Sequence, residues 1–272
     1  MYRKIVVPVV TPAYVEPLVK LASRLLEPDG EVHILNVIHE VSMPEIAKGW
    51  RSSLHIVIPA HEAAAALDIK VVPEVVVAQD IAIEILERAE ALAADAILMT
   101  LTADPKHRHK IFGHTSSAIL NHASCDVLIV NPLALSATRA AKIILPTLTV
   151  QPPPKTMQVA ETLSTELGKL PIVTLHMRSG SSRSSTGTSG HEFQGKHGRV
   201  PKVLKTVLFP ARFFHSNALL PTAILNEVRK EGYGLCIVGD EGRGLGREFV
   251  TRPFLEELFA ISPCPILVLR GA

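Results

Sequence analysis

With 272 residues, 47% apolar and 20% charged content and a formal net charge of +2, the chain can build two ordinary cores and lacks the charge excess of a general nucleic-acid or membrane-surface binder. No apolar run approaches the roughly 18 residues of a spanning helix, and Pro8, Pro12 and Glu16 interrupt the stretch after Arg3-Lys4 that otherwise imitates a signal sequence. The expectation is a cytoplasmic globular protein without membrane insertion, in which Cys125, Cys236 and Cys264 serve as small hydrophobes at predicted buried strands.

In chain order the first half alternates strand and helix: strand 3–10, helix 14–27, strand 31–38, helix 45–67, strand 70–77, helix 80–93, strand 95–101, helix 114–123 and strand 125–130. Ile81, Ile85, Ala89 and Leu92 fall at helical spacing, with Glu84, Glu87, Arg88 and Glu90 mostly elsewhere on the wheel. Pro59 is expected to break or bend the second helix, and Trp50, the one tryptophan, falls in that region as a packing or dimer-contact residue. Strict βα alternation predicts a parallel sheet covered on both faces.

A linker at 131–141 leads to strand 142–148, helix 155–168 and strand 171–177. From 178 to 203 the sequence is rich in Ser, Gly and Thr (Ser179 through Gly190), a composition that predicts a flexible loop in place of a second helix and leaves that face as a candidate contact surface. The pattern resumes with strand 204–210, helix 217–231, strand 235–239, helix 253–261 and strand 265–270. The two halves are copies. Arg3 to Val10 recurs in type at Ala141 to Leu148, Ser124 to Val130 recurs at Pro263 to Leu269, and Pro8 to Cys125 spans 117 positions against 118 from Pro146 to Cys264.

These residues resemble the universal stress protein family, as a tandem pair with domains at 1–134 and 140–272. The family opens each domain with an apolar strand ending in Pro-x-Asp, and closes it with a Gly-x2-Gly-x9-Gly-[Ser/Thr] loop, a helix and a strand often preceded by Pro-Cys-Pro. In the first copy Pro8 matches, Val10 replaces the Asp, and the glycine positions read Thr100, Ala103 and Gly113, followed by His114. In the second, Pro146 matches, Leu148 replaces the Asp, and the positions read Gly239, Gly242 and Arg252, followed by Pro253. The resemblance implies two flavodoxin-like (adenine nucleotide alpha hydrolase-like) α/β domains, each a five-stranded parallel sheet flanked by helices. It also implies an internal pseudo-two-fold pair through the last strands, Val127–Val130 and Ile266–Leu269, with further homodimerisation open.

In nucleotide-binding members the early glycines turn around phosphate, and the last Gly-Ser opens a helix whose amides hold the anion. Gly113, with Thr115 and Ser116 behind it, keeps that helix opening. The second copy keeps Gly239 and Gly242 but sets Asp240 and Glu241 between them and Pro253 on the helix. No cofactor is assigned outright; ATP or another adenine nucleotide is the ligand the resemblance implies.

Lys106-His107-Arg108-His109-Lys110 precedes Gly113. Lys106 and Arg108 could pair with a small anion there, or the run could be a solvated loop; His107, His109 and His114 lack the partners of a familiar metal set. The expected binding residues are therefore Pro8, Val10 and Val37 as apolar wall, Thr100 and Ala103 at the turn, Lys106 and Arg108 for charge, and Gly113, His114, Thr115 and Ser116 as helix-end donors. Gly239-Asp240-Glu241-Gly242-Arg243-Gly244-Leu245-Gly246 fits neither the dinucleotide nor the Walker A spacing. No elbow serine or zinc-protease motif is present. Three functions follow in order: a non-enzymatic stress-response regulator binding a small anion, a ligand-free scaffold regulating a transporter or other partner, and a slow ATPase.

Overall fold

The computed structural model describes residues 1–40, 42–101, 112–131, 142–148, 151–180, 188–193, 202–210, 219–240 and 252–271. The chain divides into two compact units, one built on Met1–Thr102 and Phe112–Leu135 and the other on Ser136–Gly271.

The first unit runs β1 (Tyr2–Pro8), a 3-10 turn (Pro12–Tyr14), α1 (Val15–Ser23), β2 (Leu26–His39), α2 (Met43–Leu67), β3 (Lys70–Ala78), α3 (Ile81–Ala91), β4 (Ala96–Thr100), α4 (His114–His122) and β5 (Asp126–Val130). Its strand order is β3-β2-β1-β4-β5, with every pairing parallel. Ile5, Val6 and Val7 are consecutive and all buried, as a strand covered on both faces requires. Each such side chain contributes roughly 1.5–3 kcal/mol by leaving water. α1 packs against α2, and α3 against α4.

α2 continues through Pro59 rather than breaking there. Burial of Ile56, Ala60 and Ala63 on either side of it offsets the roughly 3 kcal/mol that an interior proline costs. Gly49 brings this helix close to β2, since a Cβ there would stand 2.6 Å from Ile38 Cγ2. The helix ends at Asp68, whose left-handed backbone (φ 51) donates its N–H to Ala64 O.

The second unit runs β6 (Ile143–Thr147), α5 (Pro154–Glu166), β7 (Ile172–Gly180), β8 (Thr188–Phe193), β9 (Lys202–Pro210), α6 (Leu219–Glu231), β10 (Leu235–Asp240), α7 (Arg252–Ile261) and β11 (Ile266–Arg270). Its order is β11-β10-β6-β7-β9-β8. The expectation of five strands and a loop over 178–203 is corrected here. β7 extends to Gly180, β9 starts at Lys202, and a sixth strand, β8, lies antiparallel to β9 with Phe193 opposite Lys202. The physical reason is chain return. A parallel β9 must start at the same end as β7, and an extended segment brings the chain back as well as a helix does. Its ladder uses backbone groups, so the Ser- and Gly-rich composition does not prevent it.

Candidate functional site in the first unit

Because the chain leaves β1 toward β2 and β3 and then crosses to β4 on the other side, the order reverses between β1 and β4. In parallel α/β sheets the crevice at the carboxyl ends of two such strands is where ligands bind. Pro8 ends β1 opposite Leu35. Val9 N donates to Leu35 O at 2.9 Å, and Val9 O accepts from Asn36 Nδ2 at 2.9 Å. Asn36 Oδ1 in turn accepts from Ser53 Oγ at 2.6 Å, and both side chains are buried. This chain of bonds fixes the backbone on which Val10 stands. Val10 itself is 74% exposed.

On the other wall, Thr100 closes β4 opposite Val130, and Leu101 N donates to Val130 O at 3.2 Å. Phe112, buried, stands two residues before α4. Gly113 is the N-cap of α4 with φ −74 and ψ 177, an extended conformation open to any residue, and a Cβ on it would meet nothing within 4 Å. Among the described residues no side chain caps this helix. Its first amides belong to His114, Thr115 and Ser116, which face the orphan-donor problem of every helix start. Ser116 Oγ donates back to Gly113 O at 3.2 Å, so its proton serves the turn rather than a ligand in this conformation.

The start of α3 is different. Asp80 Oδ1 accepts from Ala82 N at 2.8 Å and from Ile83 N at 3.0 Å, a complete carboxylate cap. The Ile83 bond, then the Ala82 bond and the imidazoles of His114 and His39, hold the Asp80 carboxyl below its ordinary range. One helix start on this rim therefore carries its own anion, and α4 carries none among the described residues.

The structure thus brings Pro8, Val10 and Thr100 to the ends of adjacent strands, with Val37 buried on neighbouring β2 and Gly113, His114, Thr115 and Ser116 opening α4. Ala103, Lys106 and Arg108 lie outside the described residues, as does Gly242. Gly239 is a residue of β10 and is not among the glycines with left-handed backbone. What requires glycine there is α5, for a Cβ would stand 1.8 Å from Thr156 Oγ1.

Asn36, Ser53 and Asp80 are the polar residues that sequence reasoning missed. Only Asp80 carried a signal, an Asp directly before an apolar-periodic helix. Ser117 Oγ, buried on the first turns of α4, has no hydrogen-bond partner among the described residues. No group of three His, Cys, Asp or Glu among the described residues is arranged to hold a metal ion, and none of their helices is long and apolar enough to cross a membrane.

Residues 1–131 match the model of the Universal stress protein family. No curated protein matches the sequence at a significant level. Among solved structures, a universal stress protein from Archaeoglobus fulgidus aligns over 99% of this chain and 96% of its own, at 13% identity and a TM-score of 0.64. A functionally unknown protein from Pseudomonas aeruginosa aligns over 99% of this chain and 93% of its own, at 11% identity and a TM-score of 0.57. At such identities the likeness is one of fold, and it spans both halves of the chain. Residues 1–131, just under half of the chain, are thus similar in sequence to the universal stress protein family.

Proposed function

We propose that the first unit binds a small anionic ligand, an adenine nucleotide in the leading reading, at the crevice between β1 and β4, and that the protein acts as a regulator in a stress response rather than as an enzyme. The observation that carries this reading is the contrast between the two helix starts on the same rim. α3 has its amides occupied by Asp80, whereas α4 has, among the described residues, no side-chain cap, an N-cap glycine with open space beside it, and the first-turn residues His114, Thr115 and Ser116. Such an end attracts an anion through its amides and its dipole. A phosphate held there would leave the rest of the ligand to lie along Pro8 and the exposed Val10.

The non-enzymatic character is supported by Val10. An isopropyl group at the end of β1 can neither hold a metal ion nor accept a proton, so a bound nucleotide has no hydrolytic partner from that strand. The test is a thermal-shift titration with ATP, AMP, cyclic nucleotides and inorganic phosphate on the wild type and on Gly113→Val. Ligand at about a hundred times its dissociation constant stabilises the folded state by about 2.7 kcal/mol. Loss of the shift in the variant supports the site, and no shift with any ligand retires it.

A second reading, a scaffold for a transporter or other protein partner, is favoured by β8. Between β7 and β9 the described residues form a strand, β8, and no helix among them covers the sheet. A chain that binds no anion and still regulates its partner would support this reading over the first.

A further inference from the structure

α2 carries two apolar faces where a surface helix ordinarily carries one. The inner face, Ser53, Ile56, Ala60 and Ala63, is buried. Roughly opposite runs a second stripe: Met43 is 77% exposed, Trp50 49%, Leu54 57% and Ile58 53%. At 100° per residue these four fall within about 80° of arc, a continuous band along four turns. Scattered exposed hydrophobes are ordinary, but a contiguous band with a tryptophan in it marks an interaction surface.

The charges beside the band identify its occupant. Arg51 and Glu62 are separated by eleven positions, three helical turns, and so lie on one flank of the stripe. Both are exposed, and neither has an ion-pair partner among the described residues. When two identical helices pack antiparallel, the same flank of each faces its counterpart. A two-fold axis near residues 56 and 57 then sets Arg51 of each chain opposite Glu62 of the other, twice, with Leu54 of each against Ile58 of the other between them. The opposed helix dipoles favour the same arrangement. A parallel pairing would instead set the flank that bears Arg51 and Glu62 against the other flank of the partner helix, and the two charges would not meet.

We infer that the outer face of α2 is a homodimer interface, the occupant being a second copy of this chain with its α2 antiparallel. The stripe, its flanking charge pair and the two-fold axis are mutually consistent, and the inference is independent of any ligand in the first unit.

The experiment is sedimentation equilibrium of the full chain over about 1 to 100 µM, the range in which interfaces of modest affinity associate. The wild type should approach twice its 29.5 kDa mass at the upper end. Leu54→Glu, exposed in the chain and so harmless to its folding, should weaken the dimer about thirtyfold or more, as expected for the centre of an interface. Arg51→Glu and Glu62→Arg should each weaken it, and the double exchange should recover it. A wild type that stays at 29.5 kDa throughout, or a dimer that Leu54→Glu leaves intact, overturns the inference. A double exchange no better than either single variant overturns the antiparallel pairing.

Discussion

Ser53 on α2 donates its hydroxyl proton to Asn36 Oδ1 on β2 at 2.6 Å, and Ser53 Oγ also lies 2.9 Å from Gly49 O. Through Asn36 Nδ2, the same unit holds Val9 O. The helix, the strand beside it and the end of β1 are thereby tied by one buried polar chain.

Asn36→Ala should destabilise the first unit by about 1–3 kcal/mol, because Val9 O and Ser53 Oγ lose a partner where water has little access. Ser53→Ala should cost less, since Asn36 keeps its bond to Val9. The double variant should be less unstable than the sum of the two, as members of one network are coupled. Urea denaturation midpoints check this. Additive losses would show that the two residues do not act together.

Gly239→Ala should destabilise the second unit by about 1–3 kcal/mol through overpacking. The new Cβ meets Thr156 Oγ1 at 1.8 Å and both Thr156 Cβ and Cγ2 at 2.7 Å. Adding Thr156→Ala should recover part of the loss by removing two of those three atoms. A tolerated Gly239→Ala in thermal unfolding would refute close packing as the reason for glycine here.

Gly113→Asp separates the anion site from the fold. An Asp at the N-cap of α4 can accept from the first-turn amides as Asp80 does at α3, and should raise stability by a few tenths of a kcal/mol. The same carboxylate should abolish any thermal shift with phosphate or nucleotide. A variant that still binds anions would place the ligand elsewhere.

Acid stability should depend on Glu31. His33 first, with Nε2 3.0 Å away, and then Lys70, with Nζ at 2.5 Å, hold its carboxyl down at about 2. A depressed carboxyl contributes stability above its unfolded value, and that contribution is lost as pH falls through the folded one. The wild type should therefore lose denaturant resistance between about pH 4.5 and about pH 2 more steeply than Glu31→Gln. Parallel pH profiles of the two chains would refute the assignment.

The three cysteines should be inert in the native state. Burial lifts Cys125 to about 11 and raises Cys236 and Cys264 as well. The thiolate that reacts with a disulfide reagent is therefore scarce at pH 8. Labelling should follow unfolding; one thiol reacting at once in native buffer would show a local opening.

The strand-helix alternation of the first unit was legible because burial on both faces makes runs such as Ile5 to Val7 continuous and apolar, while α3 shows helical spacing beside an Asp cap. The break that Pro59 allowed did not occur, since local cost says nothing of the core contacts made by Ile56 and Ala60. β8 was hidden because composition reports side-chain burial and its ladder needs none. Gly239 carried the wrong meaning. A glycine-dense stretch after a strand reads as a turn, and the close approach of Thr156 depends on a helix some eighty positions earlier. The Asn36 and Ser53 pair joins two elements at a distance that no periodicity encodes, whereas the helix opening at Gly113 was visible as a motif.

In the first unit, moving from β2 to β3 takes the chain through α2, and that crossover stands outside the sheet it serves. In the second unit the described part of the crossover from β7 to β9 is itself a strand of the sheet, β8. β8 pairs only with β9 among the described residues, and only residues 194–201 separate the two strands in sequence. Their pairing is local in sequence, and closing so short a separation carries a small entropic cost. The pairing of β7 with β9 must wait for the whole excursion to return. The two units therefore differ in the sequence distance over which their third parallel strand is secured: the first reaches β3 through the helix α2, and in the second β9 has a partner, β8, close by in sequence.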